Sequence, residues 1–368
     1  MGMKHPSDSA SPDRSLLLWL LALCLMIFAL VAVGGITRLT GSGLSIVEWK
    51  PILGTIPPLN PFEWQQTFAL YQQTPQFQLT NSTMTLEGFK QIYLWEYIHR
   101  LLARLVGLVF IVPWLVFLIR GKLRGKSALR VGIAFVLGGL QGILGWLMVK
   151  SGLIDRPSVS HYRLAAHLLL ALLVLTYLIW ILLDLRAPLG GPRESGPNSS
   201  QMRRVRLLLL GMTPLFILQI LYGAFVAGLK AGFGFNTFPK MNADWVPPNF
   251  FWLQPAWLNF FENGATVQFV HRWLGTLILV GITGWGMIAS RLPLSRNQRL
   301  ASLALLISFW VQYLLGVGTL IFIIPIPLAV AHQVGAAVTL AILTWTHHAL
   351  TPSEPPSGLE KSINPTPT

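Results

Sequence analysis

The chain is poor in charge, poorer still in acid, and has almost no thiol; each shortage closes a class of explanation. Its one cysteine, Cys24, allows no intrachain disulfide, no cysteine-based zinc site and no cysteine-held cluster. Charged residues make up 11% of the 368, where a soluble domain carries about 25%. Acidic residues number 13 against 27 basic ones, giving a net charge of +14 and a pI near 10.4. In a soluble protein that surplus would point to nucleic acid. Here the basic residues gather in short loops between long apolar runs, which is a topology signal of membrane proteins, so nucleic acid is excluded as a partner.

What is present is apolar mass in segments. Hydrophobic residues form 53% of the chain and the mean hydropathy is +0.58. Eight apolar runs recur: Leu16–Ile36, Ile98–Ile119, Val131–Val149, Leu164–Leu183, Leu207–Leu229, Val267–Ala289, Ser302–Ile324 and Ile326–His347. Each is about long enough to cross a hydrocarbon core of about 30 Å, and in lipid only a helix satisfies its own backbone within one segment. The first run exceeds the 7–15 residues typical of a signal-peptide core and reads as a retained span. Arg and Lys cluster after the second, fourth and sixth runs (Arg120, Lys122 and Arg124; Arg203, Arg204 and Arg206; Arg291, Arg296 and Arg299). The positive-inside rule then puts both termini in the cytoplasm and the long aromatic loops one and five on the outer membrane interface. The expectation is an all-α integral membrane protein of eight transmembrane helices in two pseudo-symmetric four-helix bundles. Its parts are a cytoplasmic leader over 1–15, an N-terminal half over 16–186, a linker over 187–204, a C-terminal half over 205–350 and a disordered cytoplasmic tail over 351–368.

The two halves repeat weakly. His99-Arg100 opens the second span and His271-Arg272 the sixth. Gln141-x3-Gly145 lies in the third and Gln312-x3-Gly316 in the seventh. His167 comes early in the fourth and His332 early in the eighth. Even-numbered spans all run the same way, so the four histidines share one depth, near the outer surface. Ionisable residues inside spans are rare and usually functional. Neutral imidazole is a good axial ligand for iron, and two helices each offering one at the same depth can clamp a heme. A single such histidine is as readily a packing residue; two repeated pairs favour two cofactor sites. His161 has no counterpart and reads as structural, while His5, His347 and His348 read as solvated.

Glu96 lies three residues before His99, and the matching run Val267–His271 has no acid. Residues i and i+3 share a helix face, so Glu96 either makes the N-terminal site the reacting one or pairs with Arg100 or Arg104 at the interface. Arg100, Arg104, Arg163 and Arg272 lie at the outer ends of these spans. They either fork onto heme propionates or snorkel to headgroups. Gln141 and Gln312 line the pockets or bond between helices.

From Gly34 to the eighth span the chain resembles the heme A synthase family. The resemblance rests on Gly34-Gly35-Ile36-Thr37-Arg38-Leu39-Thr40-Gly41-Ser42-Gly43, Glu48-Trp49-Lys50-Pro51, Glu96-Tyr97-Ile98-His99-Arg100, Tyr162-Arg163-Leu164-Ala165-Ala166-His167, Asn236-Thr237-Phe238-Pro239-Lys240-Met241, Gln268-Phe269-Val270-His271-Arg272 and His332-Gln333. It implies oxidation of the C8 methyl of heme O to the formyl group of heme A by successive hydroxylations, with water as the oxygen source. His99 and His167 would bind the substrate heme, Glu96 would be the catalytic carboxylate, and His271 and His332 would ligate a resident heme b. One branch of the family carries cysteine pairs in its outer loops; this chain resembles the other. The implied place is a bacterial inner membrane with the heme sites toward the outer face. The implied partners are heme O and the bilayer, with heme O synthase, cytochrome oxidase assembly factors and further copies of the chain as candidates. Two other readings use the same histidines: a diheme b-type electron-transfer protein, and a heme carrier without chemistry. Neither needs Glu96.

Overall fold

A computed structural model describes residues 13–48, 53–154, 157–186 and 200–351. Among these there are eleven α-helices and no β-strand. In chain order they are α1 (Arg14–Leu39), α2 (Pro61–Gln72), α3 (Pro75–Thr80), α4 (Leu86–Ile119), α5 (Gly125–Gly152), α6 (His161–Arg186), α7 (Ser200–Gly228), α8 (Asn259–Glu262), α9 (Gly264–Ala289), α10 (Arg296–Ile321) and α11 (Ile326–Leu350). Eight of them, all but α2, α3 and α8, are long and apolar enough to cross a membrane. They coincide with the eight apolar runs. Large apolar side chains stay exposed along them, such as Leu108 and Val112 on α4 and Leu277 and Val280 on α9, as hydrocarbon surroundings permit.

Polar side chains start the helices. Asp13 accepts from the Ser15 N–H at the head of α1, and Asn263 from Ala265 at the head of α9. Ser295 and Gln298 form a capping box on α10. Pro113 and Pro214 lie inside α4 and α7, as membrane helices tolerate. Asp13 also pairs with Lys122 at 2.7 Å, which holds its carboxyl below the usual carboxylate range.

Helix neighbours explain how two histidines per half meet. In the N-terminal half α1 packs on α4, α4 on α5, α5 on α6 and α6 back on α1; in the C-terminal half α7, α9, α10 and α11 close the same ring. Thus α1 corresponds to α7, α4 to α9, α5 to α10 and α6 to α11. Between the halves α1 touches α11, α6 touches α7, and α6 touches α11. Exchanging corresponding helices maps this set onto itself, the pattern of parallel repeats about an axis along the membrane normal. One buried apolar cluster runs through both halves, from Leu20 and Leu23 through Leu175 and Leu178 to Leu209 and Ile282.

Two differences from the sequence reading bear on the site. α4 begins at Leu86, twelve residues before the apolar run, so Glu96 and His99 stand inside a rigid helix rather than at its start. Loop one folds: Tyr71 of α2 packs with Phe89, Ile92 and Tyr93 on the extension of α4 in one buried cluster. Tyr71 is fully buried there and burial pushes its phenol pKa up. In the expected linker, 187–199 fall outside the described residues, while Ser200–Arg204 already belong to α7. His5 and residues 352–368 also lie outside the described residues.

Candidate functional site

All four histidine rings rest on a glycine of the neighbouring helix. A Cβ on Gly34 would lie 3.1 Å from Cε1 of His99, on Gly145 3.0 Å from that of His167, on Gly223 3.0 Å from that of His271, and on Gly316 2.7 Å from that of His332. Any larger residue would push the ring forward. The same contact therefore occurs in the helix pairs α1/α4, α5/α6, α7/α9 and α10/α11, and sets each imidazole close against its neighbour's backbone.

Three of the four rings have a second restraint. One turn before the glycine, Gln141, Gln219 and Gln312 donate from Nε2 to the backbone carbonyls of His167, His271 and His332, each at 2.9 Å. The same nitrogens stand 3.3, 3.5 and 3.1 Å from a ring nitrogen. At the matching place on α1 the residue is Leu30, and the His99 ring has no hydrogen bond.

The two histidines of the C-terminal half face one another with ring centroids 6.5 Å apart and planes at 86°. A metal bonded at about 2 Å to one nitrogen of each ring, with each nitrogen about 1.1 Å from its ring centre, sets the centres about 6 Å apart. Nδ1 of His99, His167 and His271 and Oε1 of Gln141, Gln219 and Gln312 are buried without a hydrogen-bond partner. Each such atom costs about 1–3 kcal/mol; a metal bond at a ring nitrogen would offset that cost for the histidines. The donors fit a heme held by two imidazoles: nitrogen ligands offered from opposed helices of one four-helix ring. No cluster of three or more His, Cys, Asp or Glu able to hold a bare metal ion occurs among the described residues.

Glu96 is buried and both oxygens of its carboxylate are engaged. Oε2 accepts from the Ser45 hydroxyl at 2.7 Å and the Ile46 N–H at 2.8 Å; Oε1 accepts from Arg100 Nη2 at 2.6 Å. Arg100 also donates to the carbonyls of Ile46 and Glu48. The carboxylate therefore pins loop one over the end of the N-terminal bundle from which α4 enters. The second half repeats the device in neutral form. Gln268 donates to the Gly234 carbonyl at 2.7 Å and accepts from Arg272 at 3.3 Å. Arg272 donates to the carbonyls of Phe235, Thr237 and Lys240. Thus Arg100 and Arg272 are clamps on loop backbone. Arg163 donates to the Leu147 carbonyl at 2.6 Å, and Arg104 lies half-buried one turn beyond Arg100.

Other histidines fall out differently from the sequence reading. His348 is buried, not solvated: its Nε2 lies 2.9 Å from Asp184, which also pairs with Arg130 at 2.8 Å. His347 lies 2.8 Å from the Thr213 hydroxyl. Both sit where α11 packs against α6 and α7, so helix packing covers a position that chain order places near an end. His161 is buried 3.8 Å from Glu262, in keeping with structural duty. Sequence reasoning missed Gln219 and Gly223, and the part that all four glycines play as ring supports. The spacing Gln219-x3-Gly223 was the available signal. It also missed what Gln333 does: it donates to the Val31 carbonyl at 2.8 Å and packs on Gly35, tying the residue after His332 to the helix that backs His99.

Comparison with known proteins adds a second line. Residues 17–344 match the family model described as cytochrome oxidase assembly protein. The chain is 44% identical over 338 residues to the heme A synthase of Nitrosospira multiformis, covering 92% of this chain and 94% of that one. It is 43% identical over 351 residues to the heme A synthase of Rhodospirillum centenum, covering 95% and 92%. With that of Mesorhizobium japonicum it shares 48% over 325 residues, covering 88% and 86%.

Proposed function

Since the chain belongs to the heme A synthase family, we propose that it oxidises the C8 methyl of heme O to the formyl group of heme A in the bacterial inner membrane. Conversion of a methyl to an aldehyde with oxygen from water releases four protons and four electrons, and the electrons must pass to an acceptor outside the chain. Two hydroxylations, each removing two electrons, followed by loss of water from the geminal diol account for both. His99 and His167 hold the substrate heme. His271 and His332 hold a resident heme b, which when bound supplies a one-electron redox centre.

The observation that carries this reading is a difference between matching places. Two bundles with the same helix ring, the same glycine supports and the same arginine clamps differ at the residue one turn before the clamp, Glu96 in one and Gln268 in the other. A fixed carboxylate one turn from His99 favours positive charge developing on a nearby carbon as it is oxidised, and a carboxylate can also orient water. Ser45, Ile46 and Arg100 hold Glu96 in place, so no reorganisation is needed as charge develops. Arg163 and Arg104 are the arginines assigned to propionates, while Arg100 and Arg272 act by holding the loops. The distribution of Lys and Arg supports cytoplasmic termini and heme sites near the outer face. Heme O synthase and oxidase assembly factors are the partners this role calls for.

Pigment analysis is the test. Cells making this chain with a source of heme O should accumulate heme A, and cells making Glu96→Ala should accumulate heme O. No heme A with the intact chain would refute the synthase; undiminished heme A from Glu96→Ala would refute the role of Glu96. A diheme cytochrome would bind heme in both halves and leave heme O unchanged.

A further inference from the structure

We infer that His99 is the releasable ligand of the N-terminal pair, the one whose iron bond opens when a heme enters or leaves that pocket. The inference rests on the proposed function only in taking the N-terminal pocket as the one that exchanges its heme.

Four histidines share one support and three share a second. Gln141, Gln219 and Gln312 each bind the backbone carbonyl of their histidine at 2.9 Å and lie against its ring. Leu30 stands one turn before Gly34, where these glutamines stand before Gly145, Gly223 and Gly316, and it has no polar atom to offer. The His99 ring is held by Gly34 without such a glutamine; a buried Nδ1 without a hydrogen-bond partner is a feature it shares with His167 and His271. Losing a residue that orients a metal-binding imidazole from outside the ligand shell typically costs about 10- to 100-fold in affinity, and here the orienting contact is the glutamine's bond to the histidine backbone. In the C-terminal half both ligands carry the restraint; in the N-terminal half only His167 does. A heme held at both ends by restrained imidazoles is a resident. A heme held by one restrained and one free imidazole can open on a defined side while staying attached on the other. The opening side is then that of Glu96, one turn from His99 on the same helix.

Carbon monoxide reports on this, because it binds ferrous iron only where an imidazole has let go. The full-length protein is isolated from cells that supply heme O, and heme extraction identifies the pigments present. Rapid mixing of the reduced protein with carbon monoxide should show a reacting N-terminal heme and an unreactive C-terminal one. Leu30→Gln, which supplies the missing restraint, should slow the N-terminal reaction about tenfold or more and leave the C-terminal heme untouched. Gln219→Leu, which gives His271 the surroundings of His99, should make the C-terminal heme reactive; this arm holds even if Leu30→Gln fails to fold. A large acceleration in Gln141→Leu, with no effect of Leu30→Gln, would make His167 the releasable ligand and overturn the inference. So would a C-terminal heme that stays unreactive in Gln219→Leu. If extraction finds heme b in both pockets and no heme O, but the kinetics follow the pattern above, the substrate assignment fails and the ligand assignment stands.

Discussion

Replacing Gly316 by alanine tests whether glycine sets the ligand ring, and its effect can be worked from distances. The added Cβ would lie 2.7 Å from Cε1 of His332, 3.3 Å from Nδ1 and 3.4 Å from Nε2. Ordinary contact begins at 3.4 Å, so the ring must retreat by about 0.7 Å or the helices must part. Gln312 resists sideways movement, holding the backbone carbonyl of His332 at 2.9 Å and lying 3.1 Å from its ring. The remaining direction is toward His271, whose ring centroid is 6.5 Å away. Metal sites tolerate displacements of about 0.2 Å in ligand distance; the demand here is several times larger. Overpacking of this kind also costs about 1–3 kcal/mol of stability. Gly316→Ala should therefore lose much of the low-spin heme b spectrum of the purified protein. Gly318→Ala serves as the control: it is on the same helix, a Cβ there meets nothing within 4 Å, and its spectrum should match that of the unmodified protein. Full heme content and an unaltered low-spin spectrum in Gly316→Ala would refute the reasoning.

Other perturbations separate structural from chemical duties. Glu96→Gln copies Gln268, which clamps its loop without charge, so loop one should keep its protease resistance while heme A formation falls at least a hundredfold; retained activity would make Glu96 a clamp alone. Arg272→Ala removes donors to three loop carbonyls, bonds worth about 1.5–3 kcal/mol each to a charged donor, and should expose 234–245 to limited proteolysis; an unaltered cleavage pattern would contradict the clamp. Asp184→Asn weakens the cluster with Arg130 and His348. Because Arg130 and Asp184 are about a third exposed, the cost should be at most about 1 kcal/mol, seen as a small drop in Tm with heme content unchanged.

The spans were legible because eight long apolar runs admit few other structures, and the four histidines because they recur in order at matching places of the two halves. What escaped needed partners from elsewhere in the chain. Gln219-x3-Gly223 has the spacing of its two relatives, yet its counterpart on α1 is Leu30, so matching the halves could not reveal it. The roles of Arg100 and Arg272 depend on backbone carbonyls of folded loops, which composition does not report. Helices α2 and α3 are too short for hydropathy to register, although Asn60-Pro61 and Thr74-Pro75 are cap-and-proline starts. His348 was misplaced because its partner, Asp184, lies far off in the chain and meets it only where α6 packs on α11.

The central claim is that the two histidine pairs hold different hemes for different purposes. Extracting and chromatographing the hemes bound to purified variants, made in cells that supply heme O, tests it most directly. His271→Ala should lack heme b yet keep heme O, and His167→Ala should keep heme b with its low-spin spectrum yet carry neither heme O nor heme A. Loss of the same heme from both variants, or loss of heme b from His167→Ala alone, would contradict the division of labour between the halves.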